Sequence, residues 1–435
     1  MWRRERRFSQ KKLVEVSKRS LMAKKSNQIV GLDIGSTKIS VFVGELQQNG
    51  KIEINGFGIA PSRGLKRGIV TDIAKTEQSI RRAVSEAEQM ANTEINEVFV
   101  GIAGGHIQSR NCKGRVQVKG SEVSAEDVQR AINKALNEAV PDDREVIHIL
   151  VREFVLDEVK GIKSPAGMCG SELEAHIHVV TGASSCSQNL IRCANRCGLT
   201  VNDTILQQLA SAEAVLTGGE KEMGTAVIDI GGGTTDIVIY YEDSVVYTAV
   251  LPFGGNFITH DISKVLGTPL PEAERIKQLY GSCNPRNVSR DDTVFIPGVG
   301  GREGKVISRQ LLADIIEHRV EEIFGQAYGE IERSGFFDLI ATGGCVITGG
   351  SSLLEGIPQI AEQIFGLPVR LGKPQSDGGV APMIKSPLYA TGVGLLQLGN
   401  IRKYENNFME EDEPGDRAIF STFKKWLRDA FHFFE

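Results

Sequence analysis

The sequence predicts an α/β protein built from two related lobes, and three observations lead to this fold class. The chain has 435 residues, which is enough for more than one packed core. Two segments, beginning at residues 29 and 226, share one strand–turn–strand pattern. Strand-like and helical patterns alternate after each of these segments, as expected for α/β units.

The repeated segments are residues 29–45, IVGLDIGSTKISVFVGE, and residues 226–243, AVIDIGGGTTDIVIYYED. Each contains an apolar strand, an Asp-Ile-Gly turn with small hydroxylated residues, and a second strand of alternating character. This pattern is typical of a β-hairpin with glycine at its bend. Asp33 and Asp229 occupy equivalent places in the two copies, and we expect both to lie at the bends.

Further patterns divide the rest of the chain. Helices are predicted over residues 75–90 and 125–139, and strands over 97–102, 146–151 and 175–181. Residues 105–181 interrupt the alternation with strands and a helix of their own, which indicates an inserted subdomain. Helices are also predicted near residues 256–266, 271–280 and 308–333, and residues 345–352 form a strand that ends in a Gly-Gly turn.

Composition and charge exclude several classes of protein. A hydrophobic fraction of 41% with 24% charged residues is that of a globular chain, and no apolar run of 18 residues predicts a transmembrane helix. The net charge of −5 gives no general attraction to nucleic acid, so we expect no nucleic-acid partner. Seven cysteines fit no disulfide framework, which favours a reducing compartment.

The glycine-rich turns indicate a phosphate site. Gly35, Ser36 and Thr37 form one turn and residues 231–235 form the other, and such turns aim backbone N–H groups at an anion. Lys38 could neutralise phosphate charge. Mg²⁺ prefers carboxylate, water and phosphate oxygen, so Asp33 and Asp229 are candidate metal ligands. Each hairpin alone could be an ordinary β-turn, but two matched copies favour a nucleotide site.

The two hairpins, the later Gly-Gly turn and their order resemble the actin, Hsp70 and sugar-kinase superfamily. The resemblance implies a two-lobed, actin-like (duplicated ribonuclease-H-like) fold with ATP and Mg²⁺ in the cleft. It implies phosphate contacts from the two turns and adenosine contacts from the Gly-Gly turn and a later helix. The cofactor-binding residues so predicted are Gly35, Ser36, Thr37, Lys38, Gly231, Gly232, Gly233, Thr234, Thr235, Gly255, Glu274, Lys277, Gly349, Gly350 and Ser351. Glu274 and Lys277 could equally form an exposed ion pair.

Catalysis is expected to be slow. Residues 207–216 resemble the connecting helix of the superfamily, in which Hsp70-like members often begin with Glu-Pro. This chain has Gln207 and Gln208 there, and an amide can orient water but cannot act as a base. Asp33, Asp229 and Gln207 remain the candidate catalytic residues, with at most slow ATPase activity.

Several segments resemble the FtsA family of bacterial cell division proteins: residues 164–182, 251–269, 296–303 and 386–396. The family implies an ATP-binding protein that polymerises, as an actin-like protofilament, on the cytoplasmic face of the cell membrane at the division site. It implies a tether for FtsZ filaments that helps to assemble the Z-ring and recruits other divisome proteins. Arg302 matches an arginine that binds the FtsZ C-terminal peptide, although it could also be a solvated loop residue.

The resemblance also names the segments. It implies subdomain 1A (27–104 and 182–222), the inserted subdomain 1C (105–181), subdomain 2A (223–257 and 336–399) and subdomain 2B (258–335). Charge, composition and periodicity predict a basic, disordered extension (1–26), an acidic linker (400–417) and an amphipathic helix (418–435).

The final segment predicts a membrane anchor. Apolar residues recur there at intervals of three and four, and basic residues occupy the other side. The helix could dock on the protein's own core. Its terminal position, the polar linker before it and its pairing of aromatic with basic residues favour binding to anionic lipid at a membrane surface. The predicted membrane contacts are Phe420, Phe423, Lys424, Trp426, Leu427, Arg428, Phe431 and Phe434.

Three other functions share the same superfamily. A PilM-like platform protein of a type IV pilus machine has the inserted subdomain but is not expected to end in an aromatic membrane helix. A sugar or acid kinase would need a catalytic aspartate in the first lobe, and no segment resembles a sugar-kinase signature. An Hsp70-like chaperone would need a substrate domain after residue 398. The PilM-like protein is the main alternative.

Overall fold

A computed structural model describes residues 27–409, except residues 138–140, 142, 299, 301, 302, 376 and 377. The predicted extension 1–26, the partner residue Arg302, and the helix 418–435 with its membrane contacts lie outside the described residues. In the part that the structure describes, no helix is both long and apolar enough to cross a membrane.

The first lobe opens with the first of the predicted hairpins. Its first elements are β1 (Gln28–Ile34), β2 (Lys38–Leu46), β3 (Ile52–Pro61), β4 (Leu65–Lys66), β5 (Ile69–Val70), α1 (Ile73–Ala91) and β6 (Glu97–Ile102). The Asp72 side chain caps α1 by accepting a hydrogen bond from the Lys75 N–H. The apolar face of α1, with Ile80 and Ala83, packs on the sheet.

The inserted subdomain is a four-stranded antiparallel sheet with one helix. Its elements are β7 (Gln108–Gln117), α2 (Ala125–Asn137), β8 (Arg144–Leu156), β9 (Val159–Ile162) and β10 (Glu172–Ala183), and the strand order is β7-β10-β8-β9. Phe154, Leu173 and Ile177 form its core against α2. The chain then returns to the first lobe through α3 (Ser184–Arg196), β11 (Thr200–Leu206) and α4 (Gln207–Val215).

The second lobe contains the second hairpin and a helical subdomain. Its elements are α5 (Gly218–Met223), β12 (Thr225–Ile230), β13 (Thr235–Tyr241), β14 (Ser244–Leu251), α6 (Gly255–Leu266), α7 (Leu270–Tyr280), β15 (Thr293–Ile296), β16 (Lys305–Ser308), α8 (Arg309–Ser334), β17 (Cys345–Thr348), α9 (Ile357–Phe365), β18 (Val369–Leu371) and α10 (Ala390–Met409). Short 3₁₀ turns occur at Pro285–Asn287, Phe337–Ile340, Gly350–Leu353, Ala381–Met383 and Pro387–Tyr389.

The two lobes repeat one sheet. The first has the order β11-β6-β1-β2-β3, and the second has the order β18-β17-β12-β13-β14. In both, the hairpin strands are antiparallel and the next two strands are parallel to the first hairpin strand. The predicted two-lobed α/β fold is therefore confirmed, and the equivalence of the two hairpins extends to the whole sheets.

Two helices that are far apart in the sequence meet between the lobes. Leu209 and Ala212 of α4 and Val393 and Leu396 of α10 share one buried cluster with residues of both sheets. Glycine allows the close contact, because a Cβ added at Gly394 would lie 1.7 Å from the carbonyl oxygen of Ala210. The lobes are thus joined by a common core.

The last described helix is longer than the sequence predicts. The predicted linker 400–417 begins within α10, which continues to Met409. The Lys403 ammonium donates to the Gln28 carbonyl over 2.7 Å, and Arg402 lies 3.8 Å from the Asp203 carboxylate. These contacts with the first lobe hold a segment whose polar composition resembles that of a linker.

The insert contacts the second lobe through a buried histidine. His178 on β10 has Nδ1 2.7 Å from the side-chain oxygen of Asn111 and Nε2 2.9 Å from the hydroxyl of Thr248 on β14. The Asn111 amide group donates to the Val246 carbonyl, which fixes its oxygen towards the ring. The neutral imidazole therefore carries its proton on Nδ1. Burial, reinforced by the positive charge of Arg152, lowers the pKa of His178 to about 3.

His178→Gln is expected to change how stability depends on pH. In the unfolded chain the imidazole gains a proton below its usual pKa of 6.5, whereas in the folded protein it stays neutral down to about 3. The wild type therefore loses stability as the pH falls through this window, by about 1.4 kcal/mol per pH unit for this group. Glutamine removes that loss. Urea-unfolding midpoints between about pH 7 and about pH 4 measure it.

His318→Gln is the matched control, because His318 is exposed on α8. The His318→Gln variant should still lose stability as the pH falls, as the wild type does. The interpretation of His178 is wrong if its glutamine variant loses stability with falling pH as steeply as the wild type does.

Candidate nucleotide-binding site

A cleft of about 560 Å³ lies between the lobes, which is a suitable volume for a small-molecule ligand. Most residues of the predicted site line it. These are Asp33, Gly35, Ser36, Thr37, Lys38, Gln207, Asp229, Gly231, Gly232, Gly233, Thr234, Glu274, Lys277, Gly349, Gly350 and Ser351. The other two predicted residues, Thr235 and Gly255, do not line the cleft. The Thr235 hydroxyl donates to the Phe253 carbonyl, and the Gly255 carbonyl accepts from the Lys277 ammonium.

The two hairpin turns have the same geometry. The Gly35 N–H donates to the Lys38 carbonyl, and the Gly231 N–H donates to the Thr234 carbonyl, each over 3.0 Å. Each turn therefore has a tip of two residues, and the two tips touch. A Cβ added at Gly232 would lie 2.3 Å from Cγ2 of Thr37.

The second tip has a similar contact, because a Cβ added at Gly233 would lie 2.5 Å from the Ser36 hydroxyl oxygen. Glycine is thus required at Gly232 and Gly233 by the opposite lobe.

Asp33 lies on β1 and Asp229 lies on β12, so neither is at a bend, which corrects the prediction for both. Asp33 faces Ser40 across its hairpin and Asp229 faces Asp236 across the second, because each turn is confined to the residues after the Ile-Gly pair. The Gln207 amide donates to Oδ1 of Asp33 over 3.0 Å, and the Ser40 hydroxyl donates to Oδ2 over 3.2 Å.

The ammonium group of Lys38 lies 3.4 Å from the same Oδ2 of Asp33. The Asp33 carboxylate is therefore fixed by hydrogen bonds and lies beside a cation. Its partners come from the first hairpin and from α4.

Asp229 and Asp236 form a second buried acidic group. Oδ2 of Asp229 accepts from the Ser211 hydroxyl over 2.5 Å and from the Thr391 hydroxyl over 3.3 Å. Burial raises the pKa of Asp229. Burial and the adjacent Asp229 raise the pKa of Asp236 to about 8. Thr234 donates to Oδ2 of Asp236, whereas Oδ1 has no partner among the described residues.

The three acidic side chains thus meet where the two hairpins converge. The repulsion between their charged forms makes this part of the cleft favourable for a cation.

Glu274 and Lys277 form an ion pair at the side of the cleft. The Lys277 ammonium lies 2.7 Å from Oε2 of Glu274 and donates to the Thr259 hydroxyl over 2.9 Å. Lys277 is only 7% exposed, so this pair is not the exposed pair that the spacing alone allowed. Burial lowers the pKa of Lys277, and Glu274 opposes that change.

The Gly-Gly turn joins the second hairpin. Gly349 has φ +86°, a conformation that L side chains rarely adopt, and a Cβ there would lie 2.2 Å from Oδ1 of Asp229. The Ser351 hydroxyl donates to the Gly231 carbonyl over 3.1 Å. The turn after β17 therefore lies against the second hairpin beside Asp229, at the end of a strand, as the sequence predicts for the strand and turn.

Comparison with known proteins decides the family. A family model described as "Cell division protein FtsA" matches residues 226–394, and one described as "SHS2 domain inserted in FTSA" matches residues 104–181. Cell division protein FtsA of Pseudomonas aeruginosa is 44% identical over 410 residues, covering 93% of this chain and 98% of the relative. This chain belongs to the FtsA family. The Escherichia coli K12 protein of that name is 35% identical over 413 residues, with coverages of 93% and 98%.

Solved structures of low sequence identity share the FtsA family's fold. The PilM–PilN type IV pilus biogenesis complex has a TM-score of 0.59 at 17% identity, covering 86% of this chain and 98% of that chain. MreB5 of Spiroplasma citri bound to ADP has a TM-score of 0.55 at 15% identity, with coverages of 89% and 99%. These likenesses confirm the actin-like fold class. The FtsA relatives place the chain in the cell division family rather than with pilus platforms.

Residues that sequence reasoning missed complete the site of this FtsA family member. Ser211 and Thr391 approach Asp229 from α4 and α10, which are far apart in sequence. Only the fold brings them together. Asp236 had a detectable signal, because it is a carboxylate in an otherwise apolar strand, directly after the Thr-Thr pair.

Proposed function

We propose that this FtsA family member binds ATP and Mg²⁺ in the interlobe cleft. The observation that supports this most is the meeting of two glycine turns with the buried carboxylates at one end of a cleft of about 560 Å³. Asp33 and Asp229 would hold Mg²⁺, and the two turns and Lys38 would face the phosphates. Bound Mg²⁺ would offset the phosphate charge.

The chain's own residues favour binding over rapid turnover. The Gln207 amide donates to Asp33 and is thereby fixed in the cleft. An amide can orient a water molecule but cannot remove a proton from it. We therefore propose slow ATPase activity and a cleft that acts mainly as a switch for assembly.

We further propose that the protein forms an actin-like protofilament and tethers FtsZ filaments to the cytoplasmic face of the membrane at the division site. In this proposal, Arg302 contacts the FtsZ C-terminal peptide, and the segment 418–435 binds anionic lipid. Other divisome proteins would join the assembly. The family membership supports this role, and the aromatic and basic pattern of the last residues supports the lipid contact.

Deletion of residues 418–435 is expected to reduce binding to vesicles that contain anionic phospholipid by about tenfold or more, because it removes the apolar and basic contacts together. Sedimentation with the vesicles measures the bound fraction. Deletion of residues 1–21 is the control for a purely electrostatic contribution from the basic first segment. If the 418–435 deletion leaves lipid binding intact, the anchor proposal is wrong.

A further inference from the structure

A short hairpin reaches from the first lobe into the cleft. Strands β4 and β5 pair through Lys66 and Ile69, which leaves Arg67 and Gly68 as a tip of two residues. Both have positive φ, +52° at Arg67 and +77° at Gly68, as a type I′ turn requires. Asparagine or glycine is the usual first residue of such a turn, so arginine is an unfavourable choice for the local conformation. Its presence needs a reason outside the hairpin.

The backbone of this tip contacts both glycine-rich turns, residues 35–37 and 231–235, which are called the phosphate turns below. The Gly68 N–H donates to the Ser36 hydroxyl of the first turn over 2.9 Å. A Cβ added at Gly233 in the second turn would lie 3.2 Å from Cα of Arg67. On its other side, a Cβ added at Gly68 would lie 2.7 Å from Cα of Gly104, at the start of the insert. The position of the tip therefore depends on the spacing between the two phosphate turns.

The Arg67 side chain crosses to the second lobe. Its guanidinium carbon lies 5.4 Å from the ring centre of Phe257, in the first turns of α6. Arg319, which is paired with Asp261, lies 5.8 Å from the same ring centre. The neighbouring Asn256 lines the cleft and donates from its N–H to the Gly232 carbonyl. The ring is thus a second-lobe element that is connected to the second phosphate turn.

We infer that Arg67 is a positioning residue that couples occupancy of the phosphate turns to closure of the lobes. A ligand that contacts both turns fixes the spacing at which the guanidinium meets Phe257. By linkage, the Arg67–Phe257 contact strengthens the binding of such a ligand by the same factor. A ligand that contacts mainly one lobe gains little affinity from the Arg67–Phe257 contact. This inference rests on the proposed nucleotide function of the cleft, and it adds a regulatory residue to it.

Arg67→Asn is the informative variant, because asparagine suits the first position of a type I′ turn and keeps the hairpin while removing the guanidinium. For a non-hydrolysable ATP analogue with Mg²⁺, we expect about 2–5-fold weaker binding, the range given by one exposed cation–π contact. Binding of ADP with Mg²⁺ should change less. Arg67→Lys should recover part of the effect, and Arg82→Ala, an exposed arginine on α1, should have none.

A second measurement separates this inference from the proposed function. In the nucleotide-free protein, Arg67→Asn should increase amide hydrogen exchange at residues 253–260, which are remote in sequence, and the effect should vanish in a Phe257→Leu background. If the wild type binds no nucleotide but exchange rises, the proposed function fails and the Arg67 contact stands. Unchanged exchange, or equal loss of affinity for both nucleotides, would overturn the inference.

Discussion

Asp229→Asn is expected to make the ligand-free protein more stable and to abolish tight binding of nucleotide with Mg²⁺. Burial raises the pKa of Asp229, and the carboxylate of Asp33 adds to this increase. When folding raises the pKa of an acid, the folded protein loses stability as the pH rises above the pKa of that acid in the unfolded chain, which is 3.8 here. Asparagine has no charge to bury, and its side-chain oxygen can still accept from Ser211. The variant should therefore gain stability at neutral and alkaline pH, and the gain should shrink towards pH 4.

The same substitution removes the charge that would face Mg²⁺. Two opposite charges about 4 Å apart near a protein surface interact by about 4 kcal/mol, and every 1.4 kcal/mol is about tenfold in affinity. We expect affinity for a fluorescent ATP analogue with Mg²⁺ to fall by about 100-fold or more. Thermal unfolding at about pH 5 and about pH 8, without nucleotide, measures the gain in stability.

Asp291→Asn is the control for this experiment, because Asp291 is exposed and does not line the cleft. It should alter neither stability nor nucleotide affinity. A less stable Asp229→Asn protein at about pH 8 would show that the carboxylate holds the fold together, contrary to this argument.

Gly394→Ala is expected to destabilise the protein by about 3 kcal/mol or more, because the added methyl group meets backbone rather than a movable side chain. Its Cβ would lie 1.7 Å from the Ala210 carbonyl oxygen and 2.3 Å from the Ala210 carbonyl carbon. Relief requires that α4 and α10 separate. Because α4 carries Gln207 and Ser211, the separation should also weaken nucleotide binding. Urea unfolding followed by circular dichroism measures the first effect, and nucleotide titration the second.

Gly325→Ala is the matched control. Gly325 is also helical, on α8, but a Cβ added there meets nothing within 4 Å. This substitution should be neutral or stabilising by about 0.5–1 kcal/mol, since alanine favours the helix. If both variants behave alike, close approach of α4 and α10 does not limit stability.

The sequence predicts the parts of the site that depend on local chemistry. The hairpins around Asp33 and Asp229 repeat the same short pattern, and the structure places both in one cleft. The hydroxyl groups of Ser211 and Thr391 could not be predicted as partners of Asp229. They lie 18 and 162 residues from it in sequence, and only the packing of α4 against α10 brings them together.

The end of α10 could not be predicted from the sequence for a related reason. Its composition over residues 400–409 is that of a polar linker, and local composition does not record the contacts of Arg402 and Lys403 with the first lobe. Tertiary contacts thus extend a helix beyond the limit that composition indicates.

The contact between Lys403 and Gln28 has a practical consequence for labelling. Gln28 begins β1, and Met409 is six residues after Lys403 on α10, a distance of about 9 Å along a helix. The first and last described residues are therefore close together in space. A tag inserted before Gln28 or after Met409 would therefore start from the same end of the described molecule. The exposed turn at Asp157 and Glu158, between β8 and β9 of the insert, offers a site for an internal tag that is not tied to either terminus.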